Sequence, residues 1–252
     1  MQESIIIPAR FRGPPESGNG GYVAGAIAEC FAEKQSPETD DAIEVTLRAP
    51  TPLDRSMTVI RPNDDSVQLI LGETLIAEAR RTQLELDVPE PPSFAAALAA
   101  QPQSPSFFEH INPLLPEGMG FHPICFCCGT DVEPDAGLHV YAAPVEGFDG
   151  VAAAWQPSNV FADPDGLLPT RILWAALDCP GQFAYLASGI RTGMLGRMTG
   201  RILKPVPAAQ ALTVIGWCLD VERSKHFAGT ALFDESGDLC GYSNQVWIGR
   251  RD

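Results

Sequence analysis

The chain has 252 residues, enough for one large domain or two of roughly 120, and its 45% apolar and 19% charged content suits a globular protein with a sizeable core. A net charge of −15 and an isoelectric point near 4.6 argue against a nucleic-acid partner or an anionic membrane surface, so an anionic ligand would have to meet a local basic patch. Seven cysteines and no signal peptide point to reduced thiols and a cytoplasmic address, and no apolar run approaches the roughly 20 residues of a membrane span.

Residues 4–11 read as a short strand, followed by a turn at Arg12-Gly13-Pro14-Pro15. Gly18-Asn19-Gly20-Gly21 then reads as a turn into the N-terminus of a helix that stays apolar until Glu29. With no Cβ shielding the first-turn N–H groups, that end can hold an oxyanion; a plain tight turn is the other reading. The helix fades near Lys34, because Ser36-Pro37 and the acidic residues 38–41 cannot prolong it. Residues 43–47, 57–60, 67–71 and 75–86 read as strands, the last two a hairpin turned at Gly72-Glu73.

From Asp87 to about Gly120 seven prolines, Pro113 and Pro116 among them, punctuate a linker crossing the surface, with one alanine-rich helix near residues 93–100. Strands follow at 138–142 and 151–155, then a buried helix over 167–178 with Pro169 in its first turn. Pro180-Gly181 interrupts or kinks its continuation, and the closing runs at 200–203, 212–220, 227–233 and 239–248 are β.

The two halves repeat. Pro50-Thr51-Pro52 and Met57-Thr58-Val59-Ile60 recur as Pro205-Val206-Pro207 and Leu212-Thr213-Val214-Ile215, at a constant offset of 155. Each half is one helix followed by about four strands, which implies a sheet wrapped around its helix and paired with its copy, the helices face to face.

On the stretch from Phe11 to Phe31, which holds the Gly18-Asn19-Gly20-Gly21 turn, and on the Cys125-Phe126-Cys127-Cys128-Gly129 lead with Gly137-Leu138 after it, the chain resembles tandem hotdog-fold proteins of the acyl-CoA thioesterase superfamily, and its second half is similar to the phenylacetate-pathway type. The resemblance implies an α+β double hotdog, with hotdog units over 1–88 and 121–252 and a proline-rich linker over 89–120. It also implies an acyl-CoA substrate, no cofactor beyond the coenzyme A of the substrate, and a homo-oligomer such as a trimer of tandem chains.

Members of that type place His-Gly-Gly at a helix N-terminus and an acid nine residues after the His, the amide and the carboxylate coming from opposite subunits. Carried over, Asn19-Gly20-Gly21 keeps the amides but meets Ala28 nine residues on, whereas Pro169-Thr170-Arg171 lacks the glycines but meets Asp178. The resemblance therefore implies one composite site, with Gly20 N–H, aided by Gly21, holding the thioester oxygen and Asp178 activating water or attacking. The reciprocal pair, Thr170-Arg171 with Ala28 or Glu29, is dead or repurposed. A capping or ion-paired carboxylate is the alternative for Asp178.

Cys125 and Cys128 are spaced as half of a zinc site, but no second Cys-x-x-Cys exists and His122 is the only nearby imidazole, which favours a buried turn. Cys179 lacks a histidine partner in sequence and reads as a packed thiol. His110, His139 and His226 are scattered, and none follows an Asp by five residues, so the hotdog hydratase pattern is missing. Tyr22 and Trp174 line an acyl pocket or pack the core. Arg201 and Lys204, with Arg191 and Arg197, form the densest basic stretch for a coenzyme A pyrophosphate; Arg80-Arg81 or a solvated face are the alternatives.

Overall fold

A computed structural model describes residues 3–34, 41–108 and 123–249. The expected helix end at 36–40, the later linker prolines, His110 and His122 lie outside these residues. The strands, numbered in chain order, are β1 Ser4–Ile6, β2 Asp41–Leu47, β3 Ser56–Asn63, β4 Ser66–Leu71, β5 Thr74–Gln83, β6 Ala143–Pro144, β7 Val151–Trp155, β8 Met194–Ile202, β9 Leu212–Glu222, β10 Lys225–Phe233 and β11 Leu239–Ile248. They form one antiparallel sheet in the order β1-β3-β4-β5-β2-β8-β11-β10-β9-β7-β6.

That order is close to a palindrome. Reading outward from the central β2–β8 pair, each half runs first strand, fourth, third, second, with β1 beyond in one half and β7 and β6 beyond in the other. The seam between halves is four residues long, with Val45 opposite Met198. The sequence repeat lies on this symmetry, since the offset of 155 superposes β3 on β9. Equivalent loops make equivalent bonds: Gly18 N–H donates to Thr51 O at 2.9 Å, and Leu168 N–H to Val206 O at 2.9 Å.

Two helices fill the concave face. Helix α1, Gly20–Ala28, continues as a 3₁₀ turn to Lys34, and the second long helix spans Thr170–Ala187. Small residues let them approach. A Cβ on Gly21 would lie 2.7 Å from Asp178 Cβ, and one on Gly25 would lie 2.6 Å from Arg171 Cα, so neither position admits a side chain without moving the partner helix. The core runs on both sides of this crossing, from Val45, Met57 and Leu69 of the first half to Ile172, Leu173 and Phe183 of the second.

The helix over 170–187 runs through Pro180, which was expected to interrupt it. Proline removes one helical N–H and crowds the preceding turn. Here Gln245, fully buried on β11, donates to Leu177 O at 2.6 Å, one residue beyond the Ala176 carbonyl that Pro180 leaves without its helical N–H, and so ties this turn of the helix to the sheet.

The outer face differs between halves. In the first it is polar, carrying the Arg80–Glu44 pair at 2.9 Å and an Arg48–Glu78 pair, and it needs no cover. In the second it is apolar, with Ile215, Trp217, Ala231 and Phe233, and it is packed by helix α2, Phe94–Ala100, through Ala97 and Ala100. Ser93 caps that helix by accepting from Ala96 N–H at 3.2 Å. A further short helix, α3, spans Pro105–Phe108; the helix over 170–187 is then α4. The segment expected to cross the surface as a linker thus covers apolar sheet over its described part. Residues 138–142, expected as a strand, pair with no ladder: Leu138 N–H donates to Phe126 O and Val140 N–H to Cys127 O, and His139 has φ +55°. These bonds tie the stretch to the cysteine turn.

Candidate functional site at the helix crossing

The N-terminus of α1 points at α4. Asn19 is its N-cap and uses its amide twice: Oδ1 accepts from Tyr22 N–H at 2.8 Å, and Nδ2 donates to Asp178 Oδ2 at 2.7 Å. Only a side-chain amide joins both functions, since a capping Asp, Ser or Thr lacks either the donor or the reach. Gly21 N–H donates to the same Oδ2 at 3.0 Å. One carboxylate oxygen from α4 therefore closes the first turn of α1.

Asp178 is 3% exposed, and its other oxygen, Oδ1, has no hydrogen-bond partner among the described residues. Burial pushes its carboxyl up to about 7; the Gly21 N–H opposes this, Cys125 adds to it, and Asn19 opposes it. Gly20 N–H makes no hydrogen bond among the described residues and sits at the helix end, where first-turn amides point outward. Asn19, Gly20 and Asp178 open onto a cavity of about 300 Å³, whose apolar wall includes Leu47 and Leu195. That volume is at the lower end of the about 300–1,000 Å³ typical of small-ligand pockets.

The opposite end of the crossing mirrors this. Pro169 caps α4 without a side-chain acceptor, and Glu29, just beyond α1, supplies one: Arg171 N–H donates to Glu29 Oε1 at 3.0 Å, and Arg171 Nη1 to Oε2 at 2.7 Å. Each helix N-terminus is thus capped by a carboxylate from the other helix. The expectation that the first half lacks an acid is corrected: counting nine residues finds Ala28, but the helix closes on Glu29. There the Arg171 guanidinium is paired with Glu29 and lies 3.7 Å from Asp163.

Asp178, Asn19, Gly20 and Gly21 are therefore together, with one change of role, as Gly21 rather than Gly20 engages the carboxylate. The expected binding residues are not at the cavity. Tyr22 stacks on Phe11, ring centroids 4.0 Å apart, and Trp174 is 1% exposed at the helix crossing, so both pack the core. Lys204 is held by Asp234 at 2.6 Å and Asp238 at 3.4 Å, and neither it nor Arg201 lines the cavity. The cation at the cavity is Arg48, at the end of β2. A lone arginine after a strand carries no sequence signal, and Gln182 and Leu195 at the wall carry none either.

Four thiols lie behind Asp178. The sulfurs of Cys125, Cys128 and Cys179 all fall within 4.8 Å of one another, and Cys127 packs against Cys179. Asn19 Nδ2 is 3.9 Å from Cys125 Sγ. The cysteine turn is buried, as its spacing suggested, but Cys179 joins it across the fold.

No protein-family model matches the chain, and no curated protein matches it. Solved structures do. The tesB protein of Mycobacterium avium subs paratuberculosis is 11% identical over 94% of this chain and 89% of its own, with a TM-score of 0.60. A protein assigned as a thioesterase from Novosphingobium aromaticivorans is 13% identical over 98% of this chain and 95% of its own, also at 0.60. A conserved protein with a hot dog fold from Alicyclobacillus acidocaldarius is 12% identical over 99% and 93%, at 0.53. At such identities the likeness establishes the fold, which is of the hotdog type. No helix among the described residues is long and apolar enough to cross a membrane.

Proposed function

We propose that the chain hydrolyses an acyl thioester of coenzyme A at the cavity where Asp178 meets the N-terminus of α1. The observation that carries this reading is the convergence of a buried carboxylate, held by Asn19 and Gly21, with the unengaged Gly20 N–H on one cavity. In the reaction, water gives a proton to Asp178 Oδ1 as its oxygen bonds to the thioester carbon. The carbonyl oxygen takes the charge and is held by Gly20 N–H. As the C–S bond breaks, the proton passes to the leaving sulfur, and acid and thiol are released. The reading includes a double hotdog in one chain, its halves joined through 89–120, assembling further into oligomers in the cytoplasm.

The test is thiol release across a panel of acyl-CoAs of graded length, aliphatic and aromatic. Asp178→Asn keeps an acceptor for Gly21 N–H but removes the base, and is expected to lower kcat at least about 100-fold, the size of a general-base contribution. Unchanged turnover in a folded Asp178→Asn protein overturns the assignment.

A second reading is favoured by one detail. Asp178 already engages the Gly21 N–H and the Asn19 amide, leaving fewer donors for a substrate than an open helix end would offer. A protein that binds acyl-CoA without cleaving it would show thermal stabilisation by CoA esters and no thiol release across the same panel.

A further inference from the structure

The thiols behind the site have chemistry of their own. Buried cysteines that act as small hydrophobes pack their sulfurs against carbon. Here three sulfurs converge instead. Cys125 Sγ and Cys179 Sγ are 3.9 Å apart, far beyond the about 2.05 Å of a disulfide. A tetrahedral site with metal–sulfur bonds of about 2.3 Å has sulfur–sulfur edges of roughly 3.8 Å.

The turn that carries two of these cysteines is built for the purpose. Gly129 N–H donates to Cys125 O at 2.8 Å, and a Cβ on Gly129 would lie 2.7 Å from Cys125 N, so the turn closes this tightly only with glycine. Its position is fixed from both sides, by Phe126 N–H on Arg12 O at 2.7 Å and by Leu138 N–H on Phe126 O at 2.8 Å. The third cysteine comes from α4, one residue beyond Asp178. All three are buried and none is in a disulfide.

We propose that Cys125, Cys128 and Cys179 bind one zinc ion per chain, with the fourth coordination position facing the cavity that Cys125 and Cys179 line. The ion clips the 123–129 turn to α4 and so fixes the helix segment that presents Asp178. Binding deprotonates the three thiols, and the soft ligand set selects zinc over magnesium or calcium. The site stands whether or not the cavity hydrolyses thioesters.

The test titrates the full chain, stripped with chelator under reductant, with Co²⁺. One equivalent is expected to bring up thiolate-to-cobalt charge-transfer bands and the visible bands of a tetrahedral ion, both removed by stoichiometric Zn²⁺. Cys128→Ser and Cys179→Ser are expected to weaken zinc binding by more than the about 10- to 100-fold typical of losing a supporting residue, whereas Cys218→Ser, at an exposed thiol, keeps it. The wild-type titration needs no variant to fold. Absence of tetrahedral thiolate bands at stoichiometric Co²⁺ overturns the proposal, and so does a Cys125–Cys179 disulfide found by mass mapping of protein purified without reductant.

Discussion

Gly21→Ala is the most direct perturbation of the helix crossing on which the site depends. The added methyl would start 2.7 Å from Asp178 Cβ, where carbon atoms rest at about 3.5–4.0 Å, so α1 and α4 must part by roughly 1 Å. The Gly21 N–H to Asp178 Oδ2 bond, 3.0 Å in the native crossing, would then stretch to about 4 Å and cease to be one. Forced packing costs about 1–3 kcal/mol, and a hydrogen bond to a charged group about 1.5–3 kcal/mol. The helix gains about 0.8–1.0 kcal/mol from replacing glycine. The net expectation is a loss of about 1.5–5 kcal/mol in urea unfolding, at about 2–4 °C in Tm per kcal/mol for a chain of this size. Gly25→Ala meets Arg171 Cα at 2.6 Å but makes no bond to Asp178, and is expected to cost less. A Gly21→Ala protein as stable as wild type, or more so, would refute the close crossing.

Asn19→Asp keeps the cap on Tyr22 N–H but sets a carboxylate where Nδ2 now lies 2.7 Å from Asp178 Oδ2; urea unfolding is expected to show a loss of about 1–3 kcal/mol, with hydrolysis reduced. Glu29→Gln still accepts Arg171 N–H and loses only a part-exposed ion pair, so stability should fall by no more than about 1 kcal/mol and thiol release should be nearly unchanged. Arg48→Ala removes the cation at the cavity and should raise KM for acyl-CoA ~5-fold, about 1 kcal/mol, whereas Lys204→Ala should not, because Lys204 does not line the cavity; equal effects in steady-state kinetics would reverse that assignment.

Much of this was legible in the residues. The glycine run located α1, Gly72-Glu73 located the hairpin, where Gly72 has φ +60°, and the repeat at 155 anticipated the near-palindromic sheet. Asp178 was singled out by the resemblance, whose acid lies nine residues after the helix-start motif. What escaped depends on contacts distant in sequence. The choice between Ala28 and Glu29 stayed open because the count to the acid is not the same in the two halves: eight residues separate Gly21 from Glu29, and seven separate Arg171 from Asp178. The helix runs through Pro180, and Gln245, 65 residues later, bonds Leu177 O beside it, a contact that the local sequence does not signal. Residues 138–142 alternate like a strand, yet their amides are taken by the cysteine turn, a competition that periodicity cannot register. Cys179 reads as solitary until the fold brings it to Cys125.

The two capped helix ends have a consequence for how such a protein can change. Two identical subunits must treat both junctions alike, because every substitution appears twice. A chain that builds its two junctions from different residues is released from that constraint: here one is closed by Arg171 and Glu29, while the other opens onto the cavity. Severing the polypeptide between the halves should therefore yield two unlike pieces, each with an uncovered helix terminus and a stranded acid, that reassemble with each other in preference to themselves.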